Sequence, residues 1–387
     1  MIKCRRYGRH APMTILIISG LPLKRKTSFL YQSLLLREAF EQNKIKTILA
    51  GPEGYGEEQG KLSVLPFWAG NKKGRTTGYS LHELINTTGS DAVILLGLAE
   101  QFPFLKESNN PGVPVFLWAQ LSHPVEPMLL GDAIPVPLTE KTEEFLRKSV
   151  VEKIGPVIPH GVDTQVFRPQ GELKHPALQE DGALPEQLRQ TRRFVIGTVG
   201  ANNPRKRYSL IFESFSLFSR AATDARMLIK TDQAKKPGGY NLYKLAKEYE
   251  IYDRVSILEG DISSNKLASL YRQMDLFVTL SEWEGFCIPV IEAMACGVPV
   301  IAPPIQGPGE IVPYKELILS GGSFIKGGKT VLYEANQQEV SQMFLKAFRS
   351  PDMLARLTRI GINEVKKRFD IRIVVKKWIE LIQGESF

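Results

Sequence analysis

The chain has 387 residues, 43% hydrophobic and 24% charged, with three cysteines and a formal net charge of +9. That length exceeds one ordinary core and calls for two domains of a soluble globular class. Cys4, Cys287 and Cys296 are too few for a disulfide framework, which fits a reducing, cytoplasmic setting, and no apolar run reaches the roughly 18–20 residues of a bilayer span.

Basic residues from Lys3 to His10 precede the apolar stretch Thr14–Ser19, an order that imitates a signal peptide. The apolar run is short, however, and Gly20-Leu-Pro-Leu-Lys-Arg-Lys26 follows it without a small-residue cleavage site. The expectation is a first buried strand behind a loose basic extension, with Met13 an alternative start. Buried parallel strands are expected at 14–19, 47–50, 92–96 and 115–118, with an amphipathic helix at 28–42. Thr139 is placed to cap a helix at 140–151 whose first turn is acidic.

Residues 165–192 carry Pro169, Gly171, Pro176, Gly182 and Pro185 with little periodicity, and mark the inter-domain connection. A second alternating series follows. Strands are expected at 194–199, 227–230, 255–258, 276–280 and 299–302, and helices at 205–219, 242–248, 266–274 and 290–296. Gly297 suits a left-handed cap, and Asp370 a cap for the amphipathic tail helix at 370–382. Two alternating blocks imply two doubly wound α/β domains, which bind ligands beyond the carboxyl ends of their strands.

The chemistry concentrates in Leu280-Ser-Glu-Trp-Glu-Gly-Phe-Cys-Ile-Pro-Val-Ile-Glu-Ala-Met-Ala-Cys-Gly-Val-Pro-Val-Ile-Ala302. A strand ends at Leu280 and a helix begins near Pro289, where proline is tolerated. Backbone N–H groups of Phe286, Cys287, Val290 and Ile291 near that helix start suit an anion such as a diphosphate. Glu284 in the loop and Glu292 in the first turn are separated by seven residues. Such carboxylates grip sugar hydroxyls and a ribose diol; equally, they read as a solvated loop charge and a dipole-complementing acid.

The segment resembles the Glu-x7-Glu signature of retaining GT-B glycosyltransferases, the group 1 family that includes glycogen synthase and sucrose synthase. The likeness runs through Glu284-Gly-Phe, Pro289, Glu292-Ala-Met-Ala, Gly297 and Pro299-Val-Ile. Ile158-Pro-His-Gly-Val-Asp163, Gly197-Thr-Val-Gly-Ala-Asn-Asn-Pro-Arg-Lys-Arg207, Leu258-Glu-Gly-Asp-Ile and Ile305–Val312 resemble further family segments in the right order. The resemblance covers the C-terminal half and is weak before residue 110.

It implies a GT-B α/β fold, two Rossmann-like domains facing a deep cleft. Residues 1–165 would form the acceptor-side domain and 166–369 the nucleotide-sugar domain, with 370–387 crossing back as a helix. Carried over, Glu284 contacts the transferred sugar and Glu292 the nucleotide ribose. Arg205 and Lys206 neutralise the leaving diphosphate, and Phe286, Cys287 and Val290 complete the donor site. His123 is the catalytic-histidine candidate near the sugar, with Gln120 an alternative. Gly20 either lets the backbone approach the donor phosphate or simply permits a turn. Two departures stand out. Cys287 occupies a position where the family commonly has glycine, and Ala201-Asn202-Asn203 occupies one where many members have arginine.

The expected activity is hexosyl transfer from a nucleoside diphosphate sugar with retained configuration, without cofactor or metal. The acceptor would be a sugar, a polysaccharide or a lipid-linked molecule. The basic clusters Lys24-Arg25-Lys26, Lys72-Lys73, Arg205-Lys206-Arg207 and Lys366-Lys367-Arg368 suit phosphate groups, including a peripheral contact at an inner membrane face. No zinc spacing or RNP-type motif supports nucleic acid. The alternative is a catalytically inactive GT-B protein that binds a sugar or nucleotide. Gly322-Ser-Phe-Ile-Lys-Gly-Gly-Lys-Thr330 misses the first P-loop glycine and reads as a hairpin or surface loop. No Asp-x-Asp pair occurs, and the five histidines lack metal spacing.

Overall fold

The computed structural model describes residues 13–20, 28–52, 55–56, 63–66, 80–106, 112–121, 125–170 and 193–384. The chain divides into two compact units, residues 1–161 with 370–387, and residues 162–369.

The first unit is built on β1 (Thr14–Ser19), α1 (Ser28–Gln42), β2 (Lys46–Gly51), β3 (Tyr55–Gly56), β4 (Ser63–Pro66), α2 (Leu81–Thr88), β5 (Ala92–Gly97), β6 (Val115–Ala119), β7 (Ile134–Pro137) and α3 (Glu140–Lys148). Its sheet runs β3-β4-β2-β1-β5-β6-β7, parallel except for β3. Every residue of β1 and β5 is buried, as in central strands covered on both faces. β7 reads Ile-Pro-Val-Pro and sits at the sheet edge, where a residue without an N–H does least harm. Thr139 caps α3, its Oγ1 accepting the Thr142 N–H at 3.1 Å. The helix stops at Lys148, three residues earlier than expected, and Val150 takes a φ of +57°.

The C-terminal helix, Ile371–Gln383, packs into this unit. Trp378 is wholly buried, edge-on to Phe116 at 6.0 Å and Trp118 at 5.5 Å. Asp370 caps the helix by accepting the Arg372 N–H at 2.9 Å. A Cβ on Gly161 would lie 2.8 Å from Ile371 Cδ1, so glycine is what lets the helix close in. The Gln32 amide donates to Gly161 O at 2.9 Å and accepts its N–H at 3.1 Å. His160 lies 4.5 Å from the Trp118 ring, and burial pushes its imidazole down to about 3, keeping it neutral. The Ile-Pro-His-Gly segment is thus a packing device in this unit.

The second unit carries β8 (Val195–Val199), α4 (Tyr208–Ser219), β9 (Arg226–Lys230), α5 (Leu242–Glu248), β10 (Val255–Leu258), α6 (Ser264–Tyr271), β11 (Leu276–Val278), α7 (Ile288–Ala295), β12 (Val300–Ile301) and α8 (Pro308–Ile311). Next come β13 (Ser323–Gly327), β14 (Thr330–Glu334), α9 (Gln337–Arg349) and α10 (Pro351–Glu364). Its main sheet is parallel in the order β10-β9-β8-β11-β12, and β13–β14 forms a separate antiparallel hairpin. The P-loop look-alike is that hairpin.

One expected helix starts late. Residues 205–219 do not form a single helix: Pro204–Lys206 is a 3₁₀ turn, Arg207 takes a φ of +54°, and α4 begins at Tyr208. Among the described residues, no helix is long and apolar enough to cross a membrane.

Candidate active site

The second sheet reverses its strand order between β8 and β11, which are hydrogen-bonded neighbours. Connections leaving two such strands go to opposite faces, so a crevice opens at their carboxyl ends. Residues 200–207 leave β8 and residues 279–287 leave β11. The two loops are stitched together: the Glu282 N–H donates to Arg205 O at 2.9 Å, and Arg207 pairs with Glu282 at 3.1 Å.

Glu284 is at the centre. Its Oε1 accepts from Lys206 Nζ at 2.5 Å, Arg205 Nη1 at 2.7 Å and Ser281 Oγ at 2.8 Å. Burial pushes the carboxyl up, but Lys206 and then Arg205 outweigh it and hold the group below the usual carboxylate range. Two cations on one carboxylate leave the cluster with a surplus positive charge. Arg205 also donates to Trp283 O at 3.0 Å and lies 4.9 Å from the Trp283 ring centre.

Local sequence explains this placement. A Cβ on Gly200 would sit 3.3 Å from Lys206 Cε, so glycine lets the lysine stem lie along the backbone. Tyr208 donates to Gly200 O at 2.7 Å, and Asn203 Oδ1 accepts the Arg205 N–H at 3.1 Å. Asn202 is buried: it donates to Gln233 O at 2.9 Å and Tyr240 O at 2.7 Å, and accepts the Tyr240 N–H at 2.9 Å. Asn202 therefore ties the 232–241 loop to the basic turn, a positioning duty where many relatives would carry an arginine.

The helix following the loop departs from expectation in two ways. Glu292 is the fifth residue of α7, in the second turn rather than the first, and it is buried. Its Oε2 accepts from Tyr271 Oη at 2.8 Å, and burial pushes its carboxyl up to about 7 against that hydrogen bond. Secondly, Val290 has no free N–H, because it donates to Cys287 O at 3.0 Å. The N–H groups of Cys287 and Ile288, at the very start of α7, have no intrahelical partner by position.

Cys287 has a φ of +75°, the left-handed region that disfavours a side chain. This is the physical reason for glycine in the family at this position. Burial, and then Glu284, push its thiol up to about 12, so it is inert. Phe286 is buried, edge-on to Phe369 at 6.0 Å. Gly307, at φ +77°, packs on the Phe286 carbonyl, where a Cβ would approach to 2.4 Å.

Arg205, Lys206 and Glu284 thus meet where β8 and β11 end, Phe286 and Cys287 follow in the same loop, and Glu292 lies five residues beyond Cys287 in α7. Gly20 lies in the other unit. Its N–H donates to Leu96 O at 2.9 Å, and a Cβ would lie 2.6 Å from Gln101 Oε1, so close packing beneath Gln101 requires this glycine. His123 lies outside the described residues. Tyr271, Trp283 and the anchoring role of Asn202 were not foreseen, since each acts through a contact between segments far apart in the chain; Ser281 lies only three residues from Glu284, but nothing in its side chain announces that contact. Among the described residues, no three His, Cys, Asp or Glu side chains converge to hold a metal ion.

Residues 182–360 match the model of the family described as glycosyl transferases group 1. Over 242 residues the chain is 24% identical to mannosylfructose-phosphate synthase of Agrobacterium fabrum, covering 59% of this chain and 48% of that protein. The chain spans about half the length of the curated relatives it matches first. Among solved structures, sucrose-phosphate synthase from Thermosynechococcus elongatus aligns with a TM-score of 0.71 at 16% identity, over 96% of this chain and 99% of that one. Anabaena HepE in complex with UDP and glucose aligns with a TM-score of 0.69 at 13% identity, over 96% and 100%. At such identities the likeness is one of fold, and that fold is GT-B with two Rossmann-like α/β units. The sheet order and the signature loop of the second unit agree with that match of residues 182–360 to the group 1 glycosyl transferases.

Proposed function

We propose that the protein transfers a hexosyl unit from a nucleoside diphosphate sugar to an acceptor with retention of anomeric configuration. The observation that carries this reading is the convergence of Arg205 and Lys206 on the buried Glu284 at the switch point of the second sheet. Two cations over one carboxylate suit a departing diphosphate, whose growing negative charge they stabilise without a divalent metal. As the diphosphate draws the cations, Glu284 is freed to accept hydrogen bonds from sugar hydroxyls. Glu292 grips the ribose once deprotonated, and the N–H groups at the start of α7 face the phosphates. HepE, solved with UDP and glucose, supports a nucleotide-sugar donor.

The net charge of +9 supports an anionic or lipid-phosphate acceptor. The test pairs the purified protein with UDP-, GDP- and ADP-hexoses and follows the released sugar or glycoside by proton NMR. A product first formed with the donor's anomeric configuration supports the proposal. An inverted first product overturns retention. Tight nucleotide binding without any turnover, with the acceptor range exhausted, favours the inactive binding protein.

A further inference from the structure

The β13–β14 hairpin stands outside the main sheet and exposes more apolar surface than a two-stranded element needs. Phe324 and Val331 are each 58% exposed and Ile325 39%. The register pairs Phe324 with Tyr333 and Lys326 with Val331. Directly paired residues share a face, as do residues two apart, so Phe324, Lys326 and Val331 lie on one face. Tyr333, at the base of that face, is buried and meets the Phe324 ring at 5.1 Å.

Charge on the hairpin is one-sided. Residues 323–333 contain Lys326 and Lys329 and no acidic residue. The acids at the base are engaged elsewhere: Glu334 pairs with Arg207 at 3.8 Å, and Glu339 accepts the N–H groups of Ser320 and Gly321 at 2.6 and 2.9 Å. An exposed phenylalanine and valine interleaved with lysine match the boundary between headgroups and acyl chains. Rings enter the apolar layer there while the ammonium stays at the phosphates. A second copy of the same hairpin would bring lysine against lysine.

We propose that the tip of this hairpin is a contact for an anionic lipid surface. It is joined to the signature loop, because the Tyr333 N–H donates to Glu282 O at 2.9 Å, two residues before Glu284. A lipid contact there holds the candidate site beside a membrane face. Because this proposal concerns binding alone, it stands or falls apart from the donor chemistry.

The test is co-sedimentation of the full chain with phosphatidylcholine vesicles and with phosphatidylcholine–phosphatidylserine vesicles, for wild type, Phe324→Ser/Val331→Ser and Lys326→Glu. Thermal unfolding of each variant checks that the fold persists. The expected result is selective binding to anionic vesicles, reduced at least about tenfold by the double substitution. Lys326→Glu, which touches charge alone, is expected to reduce it more than about fivefold. Equal binding to both vesicle types, no binding, or binding unchanged by these folded variants would overturn the proposal. So would a concentration-dependent dimer in light scattering that the same substitutions abolish, since the hairpin would then serve self-association.

Discussion

Lys206→Met tests the charge arrangement directly. The side chain is 13% exposed and its Nζ is 2.5 Å from Glu284 Oε1. At about 4 Å and an effective dielectric constant of about 20, two unit charges interact by about 4 kcal/mol. The variant keeps Arg205 and Ser281 on the carboxylate, at 2.7 and 2.8 Å, so the stability cost sits at the low end for a broken buried pair, about 2 kcal/mol. For a unit of this size that lowers Tm by about 4–8 °C. Glu284 has a depressed carboxyl in the native protein, so its stabilisation is present above the unfolded pKa and lost as pH falls through the folded one. Without Lys206 that loss begins at higher pH. Nucleoside diphosphate binding, measured by titration calorimetry at fixed ionic strength, is expected to weaken about 100-fold, or about 2.7 kcal/mol. Glu284→Gln separates the roles: it removes the carboxylate that competes for both cations, so nucleotide binding holds while transfer is lost. Nucleotide affinity unchanged in Lys206→Met, or lost equally in Glu284→Gln, would refute the reasoning.

Three further outcomes are expected. Burial pushes the Glu292 carboxyl up to about 7 from an ordinary 4.5, so between those values the native state holds a proton the unfolded state has released. Stability therefore falls as pH rises between those values, by about 3 kcal/mol at about 1.4 kcal/mol per unit. Glu292→Gln should flatten that slope in denaturant midpoints taken at pH 5 and pH 8; an unchanged slope counts against the assignment. Cys287→Gly should leave stability within about 1 kcal/mol, as relief of left-handed strain offsets lost packing, whereas the β-branched Cys287→Val should cost more than about 2 kcal/mol. Equal urea midpoints for the two would argue against backbone strain at this position. Gly307→Ala, forced at φ +77° against the Phe286 carbonyl, should destabilise by about 2–3 kcal/mol, and a neutral result would mean the 303–312 loop yields freely.

Much of the architecture was legible because it rests on local patterns. The helix at Ser28–Gln42, the strands at Thr14–Ser19 and Val255–Leu258 and the caps at Thr139, Asp370 and Gly297 lie where period and capping chemistry put them. β7 was illegible because Pro135 and Pro137 argue against a strand, and only its position at the sheet edge makes them tolerable. The break at Arg207 was hidden for a related reason: nothing in its side chain announces a left-handed backbone. Within the candidate site, the separation of Glu284 and Glu292 could be counted along the chain, but their surroundings could not. That Tyr271 meets Glu292, and that Asn202 binds the 232–241 loop instead of an anion, depend on contacts across 21 and 38 residues of sequence.

The two units allow an internal comparison. Both sheets start at a central strand, add the next on one side, then cross to the other, so each has a switch point: β1 beside β5, and β8 beside β11. In the first unit the chain leaving these strands passes Gly20 and Gly97, both closed over by Gln101, whose Oε1 accepts the Leu98 N–H at 2.7 Å. Among the described residues, what closes over these two glycines is the neutral amide of Gln101. In the second unit the same topological position carries Arg205, Lys206 and Glu284, drawn together across 78 residues of sequence. A parallel doubly wound sheet offers this position wherever it occurs, so the fold alone does not say which unit does the chemistry. For the proposed function the charge is the guide: a diphosphate needs cations held in fixed geometry, and among the described residues Arg205 and Lys206 are so held at the switch point of the second unit.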